Sequence, residues 1–491
     1  MAQATTIRSL RRRPATRRDG APRVRQWMAA KSSRLFADWT IVADDLNDEM
    51  RSAIPLVRGR ARELEQNNDI AARYLRLAES HIVGPNGFKL QVRGELATGK
   101  ADLRGNSKVE RAFATWCEPQ YCDIGGRQSF ADLTRTLVRT VARDGECLIR
   151  LHDNITTDNP FGFSLEIIDT QRLDHQHNID GRSGKSIRLG IEVDANNRPI
   201  NYYLTTDKLS GIRRHIVLPA EEVIHLYRPD RPGQLRGMSW MAPVMPTLHI
   251  LEKYQESALV AAREGANKMG FYETPEIGDQ LLNDSNPAAN DGELYEESEA
   301  GMFGMLPPGY TFKGWDPTYP HEIFESFIRT YHRTAAQGLS VSYHALTGDL
   351  TGVNFASIRS GTLEEREHWQ VHQNWLISWF LRPVYLRWLQ RSAALAAIPR
   401  ISQDVDSTIR RYSAHHWQGR RWPWVDPFKD IMTAIKAIEY KLKSPQQVAM
   451  EMGLDVDEVL DQIAQYQELL EGYKLTDGVS STPTESMNNA A

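Results

Sequence analysis

The polar stretch TGDLTGVNFASIRSG, residues 347–361, combines glycines with hydroxyl and amide side chains and leads directly into a long helical pattern. A loop of this kind before a helix can hold a phosphate on its backbone N–H groups. A nucleotide-binding P-loop needs G-x-x-x-x-G-K-[ST], however, and Gly348 and Gly352 are too close together for it. No lysine lies between Leu346 and Ile398, and the dinucleotide pattern G-x-G-x-x-G is missing. Two interpretations remain: a linker whose polar residues cap the coming helix, or a mobile loop that touches a passing ligand without gripping it.

A second stretch, RRYSAHHWQGRRWPWVD at residues 410–426, interleaves arginines with tyrosine and tryptophan. Such alternation is typical of platforms that stack nucleic-acid bases. It is also typical of a packed aromatic corner covered by arginine stems, and the Trp-Pro-Trp sequence favours that interpretation. His415 and His416 are adjacent, so their side chains diverge and make a poor metal site.

Residues for catalysis show no recognisable pattern. There is no G-x-S-x-G, no H-E-x-x-H and no EF-hand loop, and the paired acids Asp44-Asp45 and Glu364-Glu365 are expected on a solvated surface. Three cysteines suit a reducing compartment and are expected to be buried, inert thiols: Cys117, Cys122 and Cys147. The sequence therefore predicts a protein that is not an enzyme, with no catalytic residue, no metal and no cofactor.

Charge is unevenly distributed along this chain of 491 residues, although its net charge is only −4. Residues 1–34 hold ten Lys/Arg and one acid, and residues 273–299 hold nine acids and no base. This asymmetry indicates separate partner surfaces. The basic arm is expected to be disordered, and it contacts nucleic acid, an acidic partner, or nothing. No apolar run approaches the ~18 residues of a membrane span, so no membrane partner is expected.

The elements that must position these residues follow from hydrophobic periodicity. Residues 45–81 predict helix, and residues 87–229 predict a β-rich region with one helical interval at 129–143. Within that region, IRLGIEV predicts one strand that forms a hairpin with INYYLTT through the turn DANNRP. Other short strands are predicted at ECLIRLH, FSLEIID and EEVIHLY.

Helices dominate the rest of the chain. Two helices, after Pro246 and from His321, bracket an irregular acidic insert and predict a two-helix stalk with a small tip. A long helix with four tryptophans follows the opening loop, and Pro383 predicts a kink in it because proline removes a backbone donor and clashes with the preceding turn. Beyond Asp426 at least three helices are predicted, one of them opened by a capping box at Ser444 and Gln447.

Five stretches, taken together and in order, resemble the lambda-type family of bacteriophage portal proteins over roughly residues 60–473. They are RARELEQNNDIAARYLRLAESHIVGPNGFKLQ, GIEVDANNRPINYYL, HLYRPDRPGQLRGMSWMAPVM, LTGDLTGVNFASIRSGTLEEREHW and WPWVDPFKD. One departure is Asp69, where the family pattern leads us to expect proline.

The resemblance implies a helix-rich α+β subunit of a ring, typically of twelve copies. The expected parts are a basic arm (1–44), a wing (45–240), stem helix 1 (241–272), a clip (273–320), stem helix 2 (321–338), a tunnel loop (339–361), a long kinked helix (362–397), a wing return (398–426), a crown (427–475) and a disordered tail (476–491).

The resemblance also implies a function: a channel at one capsid vertex for packaging and ejecting double-stranded DNA, assembled in the host cytoplasm and carried in the virion. The expected partners are other copies of the chain, non-specifically bound DNA, the terminase large subunit, a head-tail connector, and the major capsid and scaffolding proteins. In the tunnel loop we expect four residues to face DNA: Thr351, Asn354, Ser357 and Arg359. In the clip we expect a partner-binding surface at Glu293, Glu296, Glu297 and Glu299.

Two other classes of function stay open on the sequence alone. One is a DNA-processing enzyme whose active site is dispersed along the chain. The other is a monomeric capsid-assembly or nucleic-acid-binding factor.

Overall fold

A computed structural model describes residues 45–153, 158–179, 185–206, 215–266, 270–273, 311–314, 324–352, 355–398, 405–422, 427–452, 454 and 456–472. The arm at 1–44, the tail at 476–491 and all four predicted clip glutamates lie outside these residues.

The fold is helix-rich α+β, as the sequence predicts. Fourteen α-helices lie in the described part: α1 (Leu46–Asn67), α2 (Asp69–Ile82), α3 (Leu103–Trp116), α4 (Pro119–Cys122), α5 (Phe130–Asp144), α6 (Met245–Ala266), α7 (Phe324–Gly338), α8 (Tyr343–Thr347), α9 (Phe355–Leu376), α10 (Arg382–Ala394), α11 (Val405–Tyr412), α12 (Pro427–Glu439), α13 (Pro445–Met452) and α14 (Val456–Gly472).

The described strands are β1 (Lys89–Val92), β2 (Glu146–His152), β3 (Ser164–Ile168), β4 (Ser186–Arg188), β5 (Ile191–Val193), β6 (Pro199–Thr205), β7 (His215–Pro219), β8 (Val223–Tyr227), β9 (Gly270–Glu273), β10 (Thr311–Gly314) and β11 (His415–Gln418). They form sheets of order β3-β2-β8 and β4-β5-β6-β7 and two strand pairs, β1-β11 and β9-β10, all antiparallel.

Local capping signals set several helix boundaries where the sequence predicts them. The Ser129 hydroxyl accepts from the Asp132 N–H and starts α5, and Ser444 and Gln447 form the predicted capping box before α13. Asn68 caps α2, so Asp69 occupies its first position. Proline is favoured there, and an acidic residue is also favourable at a helix N-terminus, so the departure from the family pattern leaves the helix intact.

Between 87 and 229 one local prediction is wrong, and helix α3 was missed. The stretch IRLGIEV is two antiparallel strands, β4 and β5, because Leu189 and Gly190 both have positive φ (53° and 80°) and turn the chain. The helix α3 was not predicted, although Val109, Phe113 and Trp116 recur at helical spacing; Gly105 and Asn106, which are weak helix formers, lie in its first turn. Its N-cap is Asp102, whose side chain accepts from the Gly105 N–H.

The long helix runs without a break from α9 to α10, but one turn between them is π-helical instead of α-helical. After α9, residues Ile377–Leu381 form a single π-helical turn, called the π-turn below, and α10 continues from Arg382. Pro383 has no N–H to donate to the carbonyl of Trp379, and its ring crowds that carbonyl. The Arg382 N–H instead donates to Ile377 O, five residues back. A widened turn thus lies just before Pro383, where the sequence predicts a kink.

The main core gathers around this helix. Trp369 and Trp388 are fully buried within the subunit, whereas Trp379 is 63% exposed. Phe113 of α3 lies 5.0 Å from the ring of Trp388 and 5.7 Å from that of Trp417 in β11 (centroid distances). Aromatic pairs at such distances favour edge-to-face packing. Strand β11 therefore returns from far along the chain to close the core beside β1.

Candidate functional site

The predicted tunnel loop contains more regular structure than expected. Helix α8 lies within it, and α9 begins at Phe355 rather than at 362. Of the four predicted DNA-facing residues, Thr351 and Arg359 are described, Asn354 is not, and Ser357 is described only as backbone of α9.

The segment after α8 is held by its own carboxylate. Gly348 ends α8 at φ 74°, and Asp349 then accepts from the Thr351 N–H (2.9 Å), the Thr351 hydroxyl (2.6 Å) and the Tyr343 hydroxyl (2.7 Å). These hydrogen bonds, those of Thr351 first, lower the pKa of Asp349. Because Arg329 of α7 also donates to Thr351 Oγ1 (3.2 Å), Thr351 is tied into this turn.

Arg359 is already paired. Its Nη2 lies 3.2 Å from the Asp430 carboxylate of α12, and its side chain is half-buried. The start of α9 is thereby joined to the helices that follow residue 427. A phosphate that contacted Arg359 would have to compete with the Asp430 carboxylate for its guanidinium group.

A histidine–tryptophan stack lies against α9. The ring of His81 stacks on Trp369, with centroids 5.5 Å apart, and His81 Nδ1 accepts from Trp422 Nε1 (2.9 Å). Similarly, His372 packs against Trp240, and its Nε2 accepts from Arg228 Nη1 (3.2 Å). Burial is the first cause that lowers the pKa of His81 to about 4 and of His372 to about 3. Both rings are therefore neutral acceptors at neutral pH.

A buried ionic cluster lies where α5 meets β2. Gly145, at φ 94°, ends α5, and a Cβ there would lie 2.3 Å from the carbonyl carbon of Met238. This close approach sets Glu146, which has no exposed area, beside Arg236 (Nε to Oε2 2.8 Å) and Arg58 (2.7 Å). Burial opposes ionisation, but the cluster, Arg236 first, keeps the pKa of Glu146 well below its usual range. His225 Nε2 also donates to this carboxylate (3.0 Å).

Neither His81, His372 nor the Glu146 cluster was singled out from the sequence. Each depends on partners far along the chain, and no local spacing signals them. In the arginine-aromatic stretch at 410–426, Tyr412 and Trp417 are buried and Trp422 is partly buried, as the packed interpretation predicts, and residues 423–426 lie outside the described residues.

The structure shows where the cysteines and Glu365 lie and whether metal-ligating side chains cluster. The thiols of Cys122 and Cys147 are buried, and burial raises the pKa of Cys122 to about 12. Cys117 is partly buried and its thiol pKa is likewise raised by desolvation. Within the described ranges no cluster of His, Cys, Asp and Glu could hold a metal ion. One prediction here is wrong: Glu365 is buried, and it accepts from Trp369 Nε1 (3.2 Å).

No helix in the part of the chain that the structure describes has the length and apolar character needed to cross a membrane.

Comparison with known proteins identifies the family. Residues 32–373 match the phage portal protein, lambda family. A probable portal protein of Halomonas phage phiHAP-1 is 33% identical over 452 residues, which cover 90% of this chain and 86% of that protein. Portal protein B of Escherichia phage lambda is 23% identical over 444 residues, 82% of each chain.

Among solved structures, a chain from the neck of an empty GTA particle aligns with a TM-score of 0.42 at 14% identity, covering 81% of this chain and 93% of that one. The family assignment rests on the sequence matches. On these matches, the chain belongs to the lambda family of phage portal proteins.

Proposed function

We propose that the chain is one subunit of a ring at a single capsid vertex, and that double-stranded DNA enters and leaves the capsid through this ring. The family match, together with a relative 33% identical over 90% of the chain, carries the proposal. The ring would remain in the virion after its assembly in the host cytoplasm.

Exposed apolar faces support the ring. On α12, Phe428, Ile431, Met432 and Ile435 recur at helical spacing, and Phe428 is 75% exposed. On α14, Leu460, Ile463 and Tyr466 are likewise exposed. A monomer rarely leaves such large patches in water, whereas a ring of heterologous interfaces covers them with the neighbouring copy.

The parts of the subunit take the following proposed roles. Residues 45–240 and 398–426 form the wing; α6 and α7, whose Tyr254 and Phe327 rings lie 4.8 Å apart, form the stem. The β9-β10 pair opens the clip at 273–320, and the helices after 427 form the crown. The clip meets the terminase large subunit and later the head-tail connector, and the ring also contacts major capsid and scaffolding proteins.

The chain acts as a conduit without an active site of its own, and a separate motor hydrolyses ATP. A channel must not hold phosphates tightly, because each neutralised phosphate adds affinity that would slow the DNA. An arginine shared with Asp430 suits weak, repeated contact better than a free cation would. We place four residues beside the DNA path: Thr351, Asn354, Ser357 and Arg359. The Arg359–Asp430 ion pair then limits how strongly the ring binds DNA.

Electron microscopy and mass measurement of the purified protein test the ring. We expect closed rings with a central opening. A monomer at every concentration, with or without scaffolding protein, would favour the assembly-factor alternative. Nuclease or ATPase activity that a single carboxylate substitution abolishes would favour the enzyme.

Substitutions at Arg359 and Asp430 should change the affinity of the ring for duplex DNA in opposite directions. Arg359→Gln removes a cation and should weaken the binding of duplex DNA to the ring, whereas Asp430→Asn frees Arg359 and should strengthen it. Each phosphate contact changes the slope of log K against log [salt] by about 0.9, so Arg359→Gln should make that slope shallower and Asp430→Asn steeper. Fluorescence anisotropy of labelled duplex over a salt series measures both.

The matched control is Asp153→Asn, which unpairs two arginines elsewhere: Asp153 Oδ2 lies 2.6 Å from Arg387 Nη2, and Asp153 Oδ1 lies 3.5 Å from Arg391 Nε. It should leave the slope at its parent value. If all three variants bind like the parent chain while rings still form, Arg359 does not face the DNA.

A further inference from the structure

A polar cleft lies between the long helix and the β1-β11 pair. It has a volume of about 560 Å³, and the π-turn contributes Ile377 and Ser378 to its wall. Opposite them lies the start of β11, where His415 pairs with Val92 at the end of β1. Volumes of roughly 300–1,000 Å³ are typical of small-ligand sites, and π-turns are frequent at functional sites.

Three arginines line the cleft, and no acidic residue does. Arg93 follows β1, Arg382 follows the π-turn, and Arg421 follows β11, so they reach the cleft from three separate segments. Throughout the described residues, none of the three forms an ion pair, in contrast to Arg58 and Arg236. Arginines left without carboxylates around one cavity concentrate positive potential there.

The histidines that line the cleft respond to this potential. Burial lowers the pKa of His416 first, and the charges of Arg93 and Arg421 lower it further. Burial likewise comes first for His415, and Arg382 contributes. Trp417 also lines the cleft; its Nε1 is buried and has no hydrogen-bond partner among the described residues. That nitrogen has almost no accessible surface, so the arginines rather than Trp417 are the donors that the cleft offers to a ligand.

We propose that this cleft binds a phosphate group. Arginine presents a planar fork of donors that matches phosphate oxygens. A single carboxylate is saturated by one or two such forks, whereas three arginines that line one cavity suit a tetrahedral group with more charge and more oxygens. The phosphate comes either from a small free ligand or from the backbone of DNA outside the channel, and the two sources share this chemistry.

Two probes separate the sources: inorganic pyrophosphate, followed by calorimetry, and a short labelled DNA duplex, followed by anisotropy. Both are used with the assembled full-length protein at constant ionic strength. We expect Arg382→Gln and Arg421→Gln each to weaken binding about tenfold or more, because each removes a charge-assisted hydrogen-bond donor. Arg198→Gln, an equal charge change at an exposed arginine in the β5-β6 turn, is the control and should bind like the parent chain. All three sites are exposed, so melting temperatures and ring formation should not change.

Saturable pyrophosphate binding that Arg382→Gln and Arg421→Gln weaken, with duplex binding unchanged, supports a small free ligand. Weakening of duplex binding alone supports the DNA backbone as the source. Binding of both probes that neither variant alters overturns the proposal. It is also overturned if a map of the ring shows an acidic side chain of a neighbouring copy filling the cleft. Since ring formation is measured separately, failure here does not count against the proposed portal function.

Discussion

Replacing Glu146 with glutamine should lower the free energy of unfolding by about 3–5 kcal/mol. The substitution keeps the size of the side chain but removes its charge, and it leaves Arg236, which is fully buried, and Arg58, which is 6% exposed, without their shared carboxylate. An unpaired buried charge costs far more than a lost surface pair, because water cannot solvate it. Chemical denaturation of the dissociated subunit, followed by fluorescence, measures the change.

The control for this prediction is Glu222→Gln. Glu222 pairs with Arg150 at 3.3 Å, but both side chains are at least a third exposed. Solvent screens such a pair, so the expected loss is about 0–1 kcal/mol. Equal losses for the two variants would show that the cluster around Glu146 contributes no more than a surface ion pair, and would contradict the prediction.

Acid should destabilise the protein well before its carboxylates titrate. The pKa values of His81 and His372 in the fold, about 4 and about 3, lie below the value of about 6.5 that histidine has in an unfolded chain. A depressed folded-state pKa contributes stability that is present above pH 6.5 and is lost as the pH falls toward the folded value. Between pH 7 and pH 5 each of these two histidines should therefore lower the free energy of unfolding by about 1–2 kcal/mol.

The contacts explain why both rings resist protonation. A proton on His81 Nδ1 would remove the acceptor of the Trp422 indole N–H, and a proton on His372 Nε2 would face the Arg228 guanidinium. The test compares unfolding free energies at pH 7, 6 and 5. His372→Gln keeps an acceptor for Arg228 and should remove about 1–2 kcal/mol of the loss between pH 7 and 5; other histidines whose pKa is lowered by burial, such as His225 and His368, contribute to the rest.

The slope against pH is the informative readout, because a general loss of packing shifts the whole curve without changing its slope. His249→Gln alters an exposed histidine on α6 and should reproduce the slope of the parent chain. A His372→Gln variant with the parent slope would show that the ring is not held neutral by its burial.

The elements that depend on local signals were predictable. Hydroxyl caps at Ser129 and Ser444 start helices where the sequence places them, and helical periodicity locates α6, α7 and the long helix. The failures are also local in origin. A strand pattern cannot show that Leu189 and Gly190 adopt positive φ, and the weak helix formers Gly105 and Asn106 obscure the start of α3.

By itself, the sequence determined the helix-rich α+β class, the order of the longest helices and, through motifs kept in register, the portal family. Only the tertiary structure decided which distant residues meet. Trp417 pairs with Leu90 across the β1-β11 ladder, and Arg359 reaches Asp430. The reason is physical: caps and periodicity act over a few residues, whereas burial, ion pairing and cavities depend on segments that approach one another only when the chain has folded.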